Sequence, residues 1–246
     1  MKAVILAAGR GARMKNLTNE GPKCLVELRG KSLLDRQLEA LCEAGITEIA
    51  LVTGYKSELL SNRELVMFHN PRWAETNMVS SLTYAQAWLA AEPCIVSYSD
   101  IFYEASAVEL LMASAARLAI TYDPQWVRLW RKRFTDPLSD AETFRVNADG
   151  MLAEIGNKPK SVQEVQGQYM GLLRITPEGW NEVLRLRTAL TAAECDRMHL
   201  TGTLQRVIEG GRIAIEAIPY KLSWGEIDSA EDLMAYQELN IPEPIK

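Results

Sequence analysis

Short apolar runs and helical stripes alternate through the first half of the chain. Residues 3–6 are a continuous apolar run, the pattern of a parallel strand buried on both faces. Between residues 32 and 44 the apolar positions fall at Leu33, Leu34, Leu38, Leu41 and Cys42. That is one helical face, with Ser32 placed to cap its start and Gly45 to stop it. Apolar strands are expected at 48–53, 65–69, 94–98 and 117–122, and helices at 79–91, closed by Pro93, and at 105–116. This β-α-β-α rhythm predicts an α/β fold with a mostly parallel sheet and helices on both faces. After residue 123 the pattern changes. Residues 123–141 read as an irregular insertion or lid. Residues 143–146 and 151–155, joined by Asn147-Ala148-Asp149-Gly150, read as a hairpin. A strand at 169–176 follows, then a helix at 177–190 with Pro177 in its first turn, a helix at 200–209 stopped by Gly210-Gly211, a strand at 213–218 and a helix at 229–239. No repeat, low-complexity tract or long linker interrupts the chain, so residues 1–246 are expected to form a single domain.

The first strand runs directly into Ala7-Ala8-Gly9-Arg10-Gly11, with Arg13 and the pair Pro22-Lys23 close behind. Small residues and glycines let backbone N–H groups approach a phosphate chain, and Arg10, Arg13 and Lys23 can supply the countercharge. A nucleoside triphosphate held at the end of the first strand is the expectation. There is no G-x-x-x-x-G-K-[ST], so the loop is not a P-loop. Met14 stands where the third glycine of G-x-G-x-x-G would be, which disfavours a dinucleotide fold.

Composition narrows the partners. The chain has 246 residues, 48% of them hydrophobic, enough for one large core. A net charge of −5 and a pI near 5.3 give no reason to expect nucleic acid or an anionic membrane as partner. The basic run 128–133 is short, and reads as a solvated face or an anion-facing lid. The apolar start is too brief for a signal peptide, and no stretch approaches the ~20 residues of a membrane helix. Cys24, Cys42, Cys94 and Cys195 lack C-x-x-C spacing and read as buried thiols in a reducing cytoplasm. With only His69 and His199 present, a zinc site or a Ser-His-Asp triad is not expected.

The string Leu6-Ala7-Ala8-Gly9, Gly11, Arg13, then Pro22-Lys23, resembles the L-A-A-G-x-G-x-R…P-K signature of the sugar-phosphate nucleotidyltransferase superfamily. The resemblance implies a Rossmann-like nucleotidyltransferase domain with a small β-rich subregion for the acceptor. Asp100, directly after the strand at 94–98, and Asp228, in Glu226-Ile227-Asp228-Ser229, match the two aspartates that the superfamily uses to hold Mg²⁺; read without the resemblance, they are a turn aspartate and part of a helix cap. It further implies that Arg13 leans on the leaving phosphates, Lys23 meets the α-phosphate and Lys158 engages the acceptor phosphate or the transition state. Asn77-Met78-Val79-Ser80-Ser81-Leu82 and the segment 166–173 resemble the small cytidylyltransferase branch, which acts on phosphocholine or on phosphonates. By that likeness Asn77 and Ser81 face the base or ribose; read without it, Asn77 or Ser80 is a plain helix cap.

The expected reaction is CMP transfer from CTP to a small aminated phosphate or phosphonate, with phosphocholine and 2-aminoethylphosphonate as the leading acceptors. Around the acceptor, Trp126 and Trp130 offer aromatic faces to a quaternary ammonium, Glu154 a carboxylate to a primary amine, and Tyr169 a place in the pocket wall. Glu226 is expected in an outer shell. Two alternatives stand beside this reading: a sugar-1-phosphate nucleotidyltransferase using UTP, dTTP or GTP, and a non-catalytic nucleotide sensor. The cytoplasm is the expected location, and a homodimer is left open.

Overall fold

The structure, a computed structural model, describes residues 1–238. The strands in chain order are β1 (Lys2–Ala7), β2 (Glu27–Leu28), β3 (Lys31–Ser32), β4 (Ile49–Thr53), β5 (Val66–His69), β6 (Cys94–Tyr98), β7 (Ile101–Tyr103), β8 (Leu118–Asp123), β9 (Phe144–Val146), β10 (Leu152–Ile155), β11 (Gln168–Ile175), β12 (Ile215–Pro219) and β13 (Trp224–Glu226). The helices are α1 (Leu33–Glu43), α2 (Met78–Leu82), α3 (Gln86–Leu89), α4 (Ala105–Ala113), α5 (Trp126–Arg133), α6 (Pro177–Thr188), α7 (Ala192–Arg197), α8 (Leu200–Gly210) and α9 (Ala230–Glu238). Position 239, the expected end of the last helix, lies outside the described residues.

Seven strands form one mixed sheet in the order β12-β8-β11-β6-β1-β4-β5. The block β6-β1-β4-β5 is parallel, β12 is parallel to β8, and β11 runs antiparallel between the two groups. The central strands are apolar through most of their length because both faces are covered; Val4, Ile5, Leu51, Ile95 and Val96 are buried. Leu6 pairs with Tyr98 and Ala7 with Thr53. The loops after β1 and β6 therefore leave the sheet at one edge, where ligands of open α/β sheets bind.

Several elements depart from the sequence expectation. The helix expected at 79–91 is broken into α2, a 3₁₀ turn at Thr83–Ala85 and α3. The Thr83 hydroxyl donates to Ser80 O at 2.6 Å, a side-chain bond that competes with the helical ladder. The expected insertion at 123–141 contains α5 and a turn at Pro137–Ser139. Trp126 and Trp130, one turn apart, pack fully into the core, and the Trp126 indole donates to Val165 O at 3.0 Å. They are anchors beneath the surface, not a lid. The helix α7 carries a signal in its sequence, since Thr191 and Glu194 form a reciprocal capping box. Of the cysteines expected to be buried, Cys24 and Cys94 are, and burial pushes both thiols up to about 12. Cys42 is exposed and Cys195 half-buried.

Candidate active site

The three-residue strands β7 and β13 have no counterpart among the expected elements, yet they assemble the site. They pair antiparallel, Glu226 opposite Ile101, and the Ile227 N–H donates to Asp100 O at 2.9 Å. A segment near the end of the chain is thereby laid against the loop that carries Asp100. Gly225 permits this: a Cβ there would lie 2.5 Å from the Phe102 ring and 2.6 Å from that of Tyr236. A separate small core of Met14, Val26, Leu28, Leu33, Phe102, Ile227 and Tyr236 packs behind the pair.

Asp100 and Asp228, distant in sequence, meet on one lysine. Lys23 Nζ lies 2.7 Å from Asp100 Oδ2 and also donates to Asp228 Oδ1. Burial works against the charge on Lys23, but the Asp100 and Asp228 carboxylates outweigh it and hold its pKa above the ordinary lysine value. Arg13 Nη2 reaches Asp228 Oδ1 at 2.9 Å, and its Nη1 faces Asp140 Oδ1 at 3.5 Å. Gly11 holds φ +69° so that the loop passes the Lys23 stem; a Cβ there would lie 2.9 Å from Lys23 Cδ.

One oxygen each of Asp100, Glu226 and Asp228 lies within 4.8 Å of the others. Glu226 thus joins the cluster directly instead of standing in an outer shell. Burial, then the charge of Asp228, raises the Glu226 pKa well above the usual carboxylate range. Burial also opposes the charge on Asp228, but the Glu226 carboxyl, Lys23 and Arg13 outweigh it and hold Asp228 below that range. Asp100 Oδ1 and Asp228 Oδ2 are buried without a hydrogen-bond partner among the described residues. A hard divalent cation takes oxygen donors of this kind, so the residues fit one.

Two cavities of about 400 Å³ each adjoin at this cluster. The first is lined by Leu6, Ala8, Gly9, Gly11, Lys23, Asn77, Ser81 and Asp100, and also by Trp73, Thr76, Tyr98 and Ser99, which the sequence pattern does not single out. Ala7 lies in β1, buried in the core, and does not line it. Asn77 caps α2, accepting from the Met78 N–H at 2.7 Å, and Ser81 accepts from Asn70 Nδ2 at 2.9 Å. Their capping and structural bonds therefore coexist with a place in the wall.

Arg13, Asn77, Met78, Tyr98 and Asp228 line both cavities. The second is walled by Asp140, Glu142, Tyr169, Glu226, His199 and Thr201 as well. Glu142 accepts from the Thr201 hydroxyl at 3.3 Å, and burial raises the pKa of both Glu142 and Asp140. Two residues expected around the acceptor lie elsewhere, besides the buried Trp126 and Trp130. Lys158 Nζ donates to Leu138 O at 2.7 Å and Ser139 O at 3.1 Å, tying down a turn. Glu154 accepts from Asn157 Nδ2 at 3.2 Å and faces Arg145. Neither Lys158 nor Glu154 lines either cavity, whereas Tyr169 lines the second. Arg133, in the run expected to face solvent, has a side chain only 1% exposed.

The MobA-like NTP transferase domain matches residues 3–169, about two thirds of the chain. The chain belongs to the MobA-like NTP transferase family. Among relatives of this nucleotidyltransferase, the CTP:phosphoglutamine cytidylyltransferase of Campylobacter jejuni is 36% identical over 249 residues, covering 95% of this chain and 98% of the relative. The choline-phosphate cytidylyltransferase of Streptococcus pneumoniae is 37% identical over 94 residues, which is 37% of this chain and 41% of the relative. The solved inositol-1-phosphate CTP transferase from T. maritima shares the fold, with a TM-score of 0.75 at 19% identity and 96% of each chain covered. Among the described residues no helix is long and apolar enough to cross a membrane.

Proposed function

We propose that this nucleotidyltransferase transfers CMP from CTP to a small phosphorylated amine and releases pyrophosphate. The observation that carries the reading is the junction of the two cavities. Arg13 and Asp228 line both, with Lys23 between Asp100 and Asp228 at the glycine loop. The named cytidylyltransferase relatives support CTP as donor. An oxygen of the acceptor phosphate attacks the α-phosphorus. A P–O bond forms there, the bond to the bridging oxygen breaks, and pyrophosphate leaves with the electron pair. A phosphate oxygen is ionised at neutral pH, so no general base is required. The obstacle is repulsion between two anions. Lys23 and Arg13 oppose it with fixed positive charge, and the glycine loop lets backbone N–H groups approach the triphosphate. Mg²⁺, held by Asp100 and Asp228 with Glu226, would supply further countercharge to phosphate oxygens.

For the acceptor, the wall formed by Asp140, Glu142 and Glu226 suits a cationic amine better than an aromatic cage does, because Trp126 and Trp130 are buried away from it. Phosphoglutamine is the first choice, on the likeness to the Campylobacter relative. Phosphocholine and 2-aminoethylphosphonate likewise join a phosphate or phosphonate anion to a cationic nitrogen. Pyrophosphate release is measured with CTP, UTP, dTTP and GTP, each against these three acceptors and against sugar 1-phosphates, with and without MgCl₂. Turnover confined to CTP plus a phosphorylated amine, and abolished by chelation, supports the reading. Turnover with a sugar 1-phosphate and another triphosphate overturns it, and tight CTP binding without turnover on any acceptor points to a sensor.

A further inference from the structure

Arg133 is the most deeply enclosed cation near the carboxylate cluster, and the proposed chemistry gives it no contact with substrate. It lies on α5 one turn beyond Trp130, so that Trp126, Trp130 and Arg133 share a buried face. Its guanidinium stacks 4.7 Å from the Trp130 ring centroid and 5.0 Å from that of Phe134. Its nitrogens grip Asp232 in two places: Nε to Oδ1 at 2.7 Å and Nη2 to Oδ2 at 3.1 Å. The same group faces Glu226 Oε2 at 3.4 Å and Asp228 Oδ2 at 3.6 Å.

Asp232 in turn holds the backbone of the carboxylate segment. Its Oδ2 accepts from the N–H of Asp228 and of Ser229, both at 3.0 Å, while its own N–H donates to Ser229 Oγ at 3.0 Å. The start of α9 is thus closed by a carboxylate whose orientation a buried arginine sets. Two planar groups meeting in two bonds leave little rotational freedom, unlike a point charge on a lysine stem. The chain from Trp130 through Arg133 and Asp232 ends at the backbone N–H of Asp228.

We infer that Arg133, clamped to Asp232, is a positioning residue that aims Glu226 and Asp228 toward Asp100 and so sets the affinity of the cluster for a divalent cation. On this view α5 is a strut wedged behind the site. The inference rests on the cation reading made above. Partners that orient ligating carboxylates from behind typically govern metal affinity by ten- to a hundred-fold.

The test uses Mn²⁺ alone as probe, with free ion counted by electron paramagnetic resonance against full-length wild type, Arg133→Lys and Asp232→Asn. Circular dichroism first establishes that each variant is folded. Arg133→Lys keeps the charge and loses the two-point grip, and Asp232→Asn weakens the same grip from the other side. Both are expected to weaken Mn²⁺ binding at least ten-fold. Turnover at saturating substrates is expected to return to within two-fold of wild type as Mn²⁺ is raised, a rescue that general loss of structure would not allow. The double variant is expected to be no worse than the weaker single one. If either folded variant binds Mn²⁺ as wild type does, the positioning role is overturned. If wild type itself takes up no Mn²⁺, the cation reading fails and this inference with it. Should Arg133→Lys not fold, Asp232→Asn decides alone.

Discussion

Replacing Lys23 by methionine separates the two roles assigned to its surroundings, an ion-paired core and a cation seat. The side chain keeps its length and loses its charge, which leaves Asp100, Glu226 and Asp228 facing one another with one oxygen each inside 4.8 Å. Glu226 is pushed toward its neutral form by burial, so the uncovered repulsion is chiefly that of Asp100 with Asp228. At that separation and an effective dielectric of about 20, one ionised pair repels by roughly 3.5 kcal/mol. Unpairing buried charges costs a similar ~3–5 kcal/mol. For a chain of this size, where each kcal/mol moves Tm by about 2–4 °C, Lys23→Met is expected to melt roughly 7–14 °C below wild type. Divalent cation then meets Asp100 and Asp228 without the competing charge of Lys23. At a hundred times its Kd, Mg²⁺ contributes about 2.7 kcal/mol, and the melting temperature of the variant should rise by several degrees more than that of wild type. Differential scanning calorimetry with and without MgCl₂ reads both effects. A variant that melts with wild type, or one that Mg²⁺ lifts no further than wild type, would refute the reasoning.

Three further outcomes follow from the geometry. Asp100→Asn should lower turnover by about 10²–10³-fold while leaving the fold intact by circular dichroism; unchanged turnover would remove Asp100 from the site. Gly11→Ala forces a side chain into the left-handed region and against the Lys23 stem, so it should lose roughly 1–2 kcal/mol in urea unfolding and raise the KM for CTP. Burial holds the Glu142 carboxyl above its ordinary range, and in the proposed reading its negative charge attracts the acceptor amine. As pH falls through that raised pKa the charge is lost, so the acceptor KM should rise toward acid pH. Glu142→Gln should raise KM at neutral pH and flatten the profile, and a wild-type profile already flat from pH 4 to 8 would exclude the role.

How far the site is legible before folding depends on whether a feature is local. Ser32 capping α1, the glycine loop after β1 and the hairpin of β9 with β10 follow from neighbours a few residues apart, and dihedral preference and periodicity suffice to place them. The capping box that opens α7 is equally local, and Thr191 with Glu194 displays it. The N-terminal string and the two aspartate segments are legible in the same way. Their meeting is not, since it depends on β13 lying against β7, two strands of three residues whose pairing only Gly225 makes room for.

Side-chain direction was decided by tertiary structure wherever residue type alone leaves it open. A tryptophan suits a core as well as an ammonium cage, and packing against β11 and its surroundings placed Trp126 and Trp130 inside. A lysine in a turn suits a phosphate as well as a carbonyl, and Lys158 found the carbonyls of Leu138 and Ser139. Arg133 reads as one more solvated cation in a basic run until the fold surrounds it with Asp232, Glu226 and Asp228. The sequence by itself determined the α/β scaffold and the chemistry of the phosphate loop, because both arise from short-range backbone preference. Which charges face one another was left to the tertiary structure, because a buried ion's partner is chosen by three-dimensional distance and desolvation, neither of which is written in the spacing of residues along the chain.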